Sequence, residues 1–100
     1  MHESSASEGA SGIVVRQPSA DTLAALGVWG WPVWSKEVSV FDWHYDETET
    51  CYLLAGEVEV TSSHGEPVQF GAGDLVTFPA GLSCRWQVRS PVQKHYRFSN

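Results

Sequence analysis

From Lys36 to Phe98 apolar side chains recur at every second position in short runs, and glycine or proline interrupts the runs. Successive side chains of a strand point to opposite faces, so this period marks strands with one buried side and one wet side. Cys84, Trp86 and Val88 alternate with Arg85, Gln87 and Arg89, the sharpest instance in the chain. Phe41, Trp43 and Tyr45 alternate in the same way with Asp42, His44 and Asp46, so the three rings are expected to face inward. Short strands separated by glycine turns at regular spacing indicate an all-β sandwich or barrel.

The remaining segments fit that reading. Cys51 and Leu53 alternate with Tyr52 and Leu54 in a run that is apolar on both faces and is expected to be buried on both, ending at Gly56. Val58 and Val60 lead through the polar turn Ser62–Gly65, which holds His64, to a short strand around Val68 and Phe70. Gly71, Gly73 and Asp74 make the next turn before a strand from Leu75 to Phe78. After Pro91 a last strand places Val92, Lys94, Tyr96 and Phe98 on one face and His95 on the outward one. Lys94 either runs its methylene stem to the rim or points into a cavity.

One short helix is expected, capped by Ser19, spanning Ala20 to Leu26 and ended by Gly27. The following segment holds Trp29, Trp31 and Trp34 around Gly30 and Pro32, which suits an aromatic plug or an edge rather than a central strand. Residues 1–12, rich in Ser, Gly, Ala and Glu, are expected to form a disordered tail, and residues 13–100 a single domain.

A net charge of -6 is the wrong sign for a surface that attracts phosphate, so nucleic acid and anionic membranes are not expected partners. No apolar run reaches the roughly 20 residues of a membrane-spanning helix, and a cytoplasmic location is expected. Two cysteines, Cys51 and Cys84, are too few for a disulfide framework and read as reduced thiols, with a redox pair as the remote alternative. The tryptophan-rich segment from Val28 to Trp34 is more apolar than one small barrel would expose, and a homodimer is expected.

Gly73, Asp74, Pro79, Gly81 and Cys84 spell G-D-x4-P-x-G-x2-C, and Glu49, Tyr52, Leu53, Leu54 and Gly56 spell E-x2-Y-L-L-x-G. The two strings resemble the second and first motifs of the cupin superfamily. Within it, CYLLAGEVEV, GDLVTFPAGLSCRW and PVQKHY are similar to the small single-domain group of the ethanolamine-utilisation and (S)-ureidoglycine aminohydrolase cupin domains. The resemblance spans roughly residues 36 to 98 and implies a short jelly-roll β-barrel whose motif strands line a cavity.

It also implies a metal set of three histidines and a glutamate, and here the chain departs. Counting back from Glu49 puts Trp43 and Tyr45 at the first two histidine positions, and Cys84 stands at the third. A second register would place Asp42 and His44 there but would turn three aromatic rings outward, forfeiting roughly 1.5 to 3 kcal/mol for each. Glu49 alone survives of the four, so no cofactor is expected. His44, Glu49 and Cys84 are the weak candidates should a divalent transition metal bind.

Trp43, Tyr45, Glu49, Cys84 and Trp86 are then expected to form an aromatic box with one acid and one thiol, suited to a small organic ligand and inclined toward a cation or amine. Glu49 is the candidate general acid or base. Three functions stay open: binding or transforming a small organic molecule, a metal-dependent enzyme resembling (S)-ureidoglycine aminohydrolase, and a metal-free sensor or scaffold without catalysis; the same residues could also simply fill a small barrel.

Overall fold

The computed structural model describes residues 6–8, 12–63 and 65–99; His64 and residues 1–5, 9–11 and 100 lie outside them. The chain runs β1 (Ala6–Glu8), β2 (Val14–Arg16), α1 (Ala20–Leu26), a 3-10 turn (Val28–Gly30), β3 (Val33–Lys36), β4 (Ser39–His44), β5 (Thr48–Ser62), β6 (Val68–Gly71), β7 (Leu75–Phe78) and β8 (Ser83–Ser99). Within the stretch read from sequence as a tail, β1 pairs antiparallel with β2.

Every strand pairing among the described residues is antiparallel, and β5 and β8 carry the architecture. The strands follow the order β1-β2-β7-β5-β8-β3, with β4 also on β8 and β6 also on β5. The result is a jelly roll built on two long bent strands. The first half of β5 pairs with β7 and its second half with β6, while β8 runs beside both halves. β8 in turn pairs with β4 over Ser83–Val88 and with β3 over Val92–His95.

The sequence pattern suggests that one strand stops at Gly56 and another begins after Pro91; in the structure both strands continue through these residues and bend there. The β5–β8 register shifts three times between Leu53 and Val58. Gly56 has φ +107°, and a Cβ at that position would stand 2.7 Å from the Pro91 carbonyl oxygen and 2.7 Å from Val92 Cα. Only glycine permits that approach. Pro91, with no N–H to give to a ladder, sits opposite in the same bend.

Inward parity builds one core from Tyr45, Cys51, Leu53, Val58, Val60, Phe70, Val76, Phe78, Trp86, Val88 and Val92. Helix α1 begins as expected, with Ser19 Oγ accepting from Thr22 N, and ends on Gly27 in the left-handed region. Its Leu23 packs with Val28 and Leu75 in a second, smaller cluster on the outside of the barrel, against Tyr52 and Trp31. This cover half-buries Tyr52, whereas Leu54 on the same face lies beyond it and is exposed, so the run is not buried on both sides throughout.

His95 faces away from the interior as its parity requires, yet it is buried rather than on the surface. The tryptophan segment lies over it: Nδ1 donates to the Trp31 carbonyl at 2.9 Å, and the Trp29 ring stands edge-on at 5.6 Å. The third tryptophan, Trp34, goes to the other side of edge strand β3 and enters the barrel. No helix among the described residues is long and apolar enough to cross a membrane.

Candidate functional site

A cavity of about 230 Å³ lies inside the barrel, lined by Trp34, Phe41, Trp43, Tyr45, Glu49, Trp86, Lys94, Tyr96 and Phe98. All six strand positions on β4 and β8 follow from the period-two pattern. Phe41 and Trp43 come from β4, and Trp86, Lys94, Tyr96 and Phe98 from β8, with parity restored across the Pro91 bend. Tyr45 follows β4 and is fixed by its backbone: its N–H donates to Leu82 O at 2.9 Å, and its carbonyl accepts from Gly81 N at 2.6 Å. Glu49 opens β5 between Phe78 and Phe98.

The polar content of this aromatic chamber is concentrated in one pair. Lys94 Nζ donates to Glu49 Oε2 at 2.7 Å, and the two side chains are only 6% and 5% exposed. Two charges taken out of water require close geometry and further partners to offset the desolvation. The ammonium has them: it lies 5.0 Å from the Trp34 ring centroid and 4.7 Å from that of Trp86. Trp86 stacks on Phe41 at 5.8 Å, which holds the indole in place. Of the alternatives open for Lys94 in the sequence, the structure takes the cavity.

Trp86 Nε1 donates to the Tyr45 hydroxyl at 3.2 Å, and the Tyr45 ring stacks on Phe78 at 4.8 Å. Burial, then the negative charge of Glu49, pushes the Tyr45 phenol far above its ordinary value, so the hydroxyl stays protonated and is a donor to whatever faces it.

Of the expected site residues, Trp43, Tyr45, Glu49 and Trp86 are brought together, and β4 takes the register that turns its rings inward. Two points are corrected. Trp43 is not buried but 49% exposed. Cys84 is not in the cavity: its short side chain lies between Trp43 and Ser62 in the ladder and lines an outer groove with Asp42, His44, Ser83 and Arg85. Burial pushes the Cys84 thiol up to about 11 and the Cys51 thiol up to about 12, which leaves both as inert, free thiols.

His44 belongs to the same outer groove, with Nδ1 2.7 Å from Ser83 Oγ and Nε2 3.6 Å from Asp46, too long for a hydrogen bond. Arg85 pairs with Asp42 at 2.9 Å, which holds the Asp42 carboxyl below its ordinary value. Trp34, Phe41, Lys94, Tyr96 and Phe98 were not singled out as site residues in the sequence. Parity could have found the last three, since they share the face of Val92; Trp34 carries no such signal.

An antiparallel jelly roll with its cavity between two motif-bearing strands is a cupin barrel. The chain belongs to the family of the EutQ-like cupin domain, whose family model matches residues 23–96. Among solved structures it is similar to a DUF861 family protein from Thermotoga maritima, at 52% identity over 87% of this chain and 99% of that one, with a TM-score of 0.86. It shares the fold of the Clostridium difficile EutQ protein, at 20% identity over 86% of this chain and 68% of that one, with a TM-score of 0.61. The same holds for a putative ethanolamine utilization protein EutQ from Salmonella typhimurium, at 18% identity, 87% and 68% coverage and a TM-score of 0.60. No curated protein matches the chain.

The metal site of cupins does not fit the residues present. His44 and Cys84 line the outer groove whereas Glu49 lines the cavity, and among the described residues no three His, Cys, Asp or Glu side chains are grouped so that they could hold a metal ion. At the motif glutamate itself the neighbour is an ammonium, which has no lone pair to give a cation.

Proposed function

We propose that this protein binds a small organic molecule in the barrel cavity, with the aromatic rings as walls and the Glu49–Lys94 pair as the polar contact that orients the ligand. The observation that carries this reading is the cavity. About 230 Å³ of space remains between side chains that would pack a small barrel solid, and one buried ion pair borders it. Such a chamber, below the roughly 300 to 1,000 Å³ of sites for drug-sized molecules, suits a single-ring or similarly small compound. Aromatic walls supply stacking and apolar contact, and a few placed polar groups supply orientation.

The five tryptophans provide the test. Trp34, Trp43 and Trp86 line the cavity, whereas Trp29 and Trp31 lie outside it. Titration of ¹⁵N-labelled protein with a set of single-ring aromatic compounds should shift the three cavity indole N–H signals saturably and leave the other two in place. Absence of any saturable shift across the set, or equal shifts at all five, would refute the reading.

A further inference from the structure

An aromatic box with a carboxylate is, by its chemistry, a receptor for an organic cation, since ring faces and a carboxylate both attract positive charge. In this barrel that place is filled from within. The ammonium of Lys94 takes the Glu49 carboxylate at 2.7 Å and the faces of Trp34 and Trp86 at 5.0 and 4.7 Å, so the box already holds its cation. A second positive charge would meet Lys94 a few ångströms away in an interior where such repulsion is weakly screened. A free anion would meet Glu49 under the same conditions.

Besides the two further N–H bonds of the ammonium, which stands against the two indoles, one hydrogen-bonding valence remains on Glu49 and one on Tyr45. Glu49 Oε2 is taken by Lys94, which leaves Oε1 to accept. The Tyr45 hydroxyl accepts from Trp86 Nε1, which leaves its own proton to donate. Both residues line the cavity. A group that donates and accepts through one atom satisfies the two together, and a hydroxyl is the simplest such group.

We propose that Lys94 is the pocket's built-in cation, and that the ligand class is accordingly an uncharged, ring-sized molecule whose hydroxyl donates to Glu49 and accepts from Tyr45. The inference rests on the cavity being a binding site and names what that site selects. It replaces the preference for cations and amines suggested by the aromatic residues alone, because the sequence pattern does not show that Lys94 closes on Glu49.

Three probes of nearly one shape separate the charge classes: benzyl alcohol, benzylammonium and benzoate, with toluene reporting what the ring contributes without the hydroxyl. Binding is read on the cavity indole signals of the wild-type protein. Benzyl alcohol should bind at least tenfold more tightly than either ion and several-fold more tightly than toluene. Tyr45→Phe should remove its advantage over toluene. Lys94→Met, which uncovers the carboxylate and both indole faces, should reverse the order in favour of benzylammonium. Benzylammonium binding as tightly as benzyl alcohol to the wild type would overturn the proposal while leaving the cavity a binding site. Silence of all four probes at the cavity indoles would overturn both readings. The wild-type series decides the matter even if Lys94→Met fails to fold.

Discussion

Replacing one member of the buried pair should cost more than replacing both, and the two single replacements should differ. Lys94→Met leaves the Glu49 carboxylate in a chamber whose other walls are aromatic rings. Removing one partner of a buried ion pair generally costs about 3 to 5 kcal/mol, because the remaining charge is left uncompensated. Glu49→Gln is expected to be milder, since the ammonium keeps the Trp34 and Trp86 faces at 5.0 and 4.7 Å, each worth up to roughly 2 kcal/mol when desolvated. The double replacement Glu49→Leu/Lys94→Met puts apolar side chains against apolar walls and should recover most of the loss.

A chain of 100 residues has about 5 to 15 kcal/mol of stability, so Lys94→Met should lower the midpoint of urea unfolding by a large fraction and remain measurable. Denaturation of the wild type, Glu49→Leu, Lys94→Met and the double replacement closes a double-mutant cycle, with Glu49→Gln measured beside it. Additive, small losses from the two single replacements, or a larger loss for Glu49→Gln than for Lys94→Met, would refute the reasoning.

Gly56→Ala should destabilise by about 3 kcal/mol or more, combining a positive φ with a clash against the Pro91 and Val92 backbone; denaturation near wild-type values would show that the bend can relax. Burial raises the Cys51 thiol from 9.0 to about 12, so the neutral form is favoured in the fold and the associated stability is complete below pH 9 and lost as the pH rises toward 12. Cys51 should contribute roughly 1 to 2 kcal/mol of the fall in stability between pH 8 and pH 10, beside a further share from Cys84, so Cys51→Ala should fall less steeply than the wild type, and equal slopes would contradict the burial of this thiol. Protein purified without chelators or nickel resin should carry less than about a tenth of an equivalent of manganese, iron, nickel or zinc by elemental analysis, whereas a full equivalent lost in Glu49→Gln would restore the metal reading.

Much of this architecture is written in period-two parity. The inward set of β4, the single helix with its Ser19 and Gly27 ends, and the hairpins around Gly65 and Gly73 depend on local chemistry, which a sequence displays. The resemblance of the Glu49 and Gly73–Cys84 motifs to cupins extended that to a jelly roll. What stayed hidden depends on contacts between distant segments. Nothing local shows that Gly56 and Pro91 bend two strands rather than end them, because that follows from the approach of one backbone to the other. Cys84 has inward parity and joins the core, but at the start of β8 it lines the outer groove rather than the cavity. His95 has outward parity, and only the tryptophan segment folding back on it makes that face buried. Lys94 was the informative anomaly, a charge on an apolar face, whose meaning required the position of Glu49, 45 residues away.

The ammonium of Lys94, held between Glu49 and two indoles, sets the character of the cavity, and lysine NH₃⁺ spectroscopy addresses that group directly. The chain has two lysines: Lys36 is exposed and Lys94 is buried. A ¹H–¹⁵N spectrum tuned to side-chain ammonium groups should show one slowly exchanging signal, displaced by the ring currents of Trp34 and Trp86, absent in Lys94→Met and altered in Glu49→Gln. Two rapidly exchanging lysines with ordinary shifts would contradict this, because the cavity would then have no cation of its own.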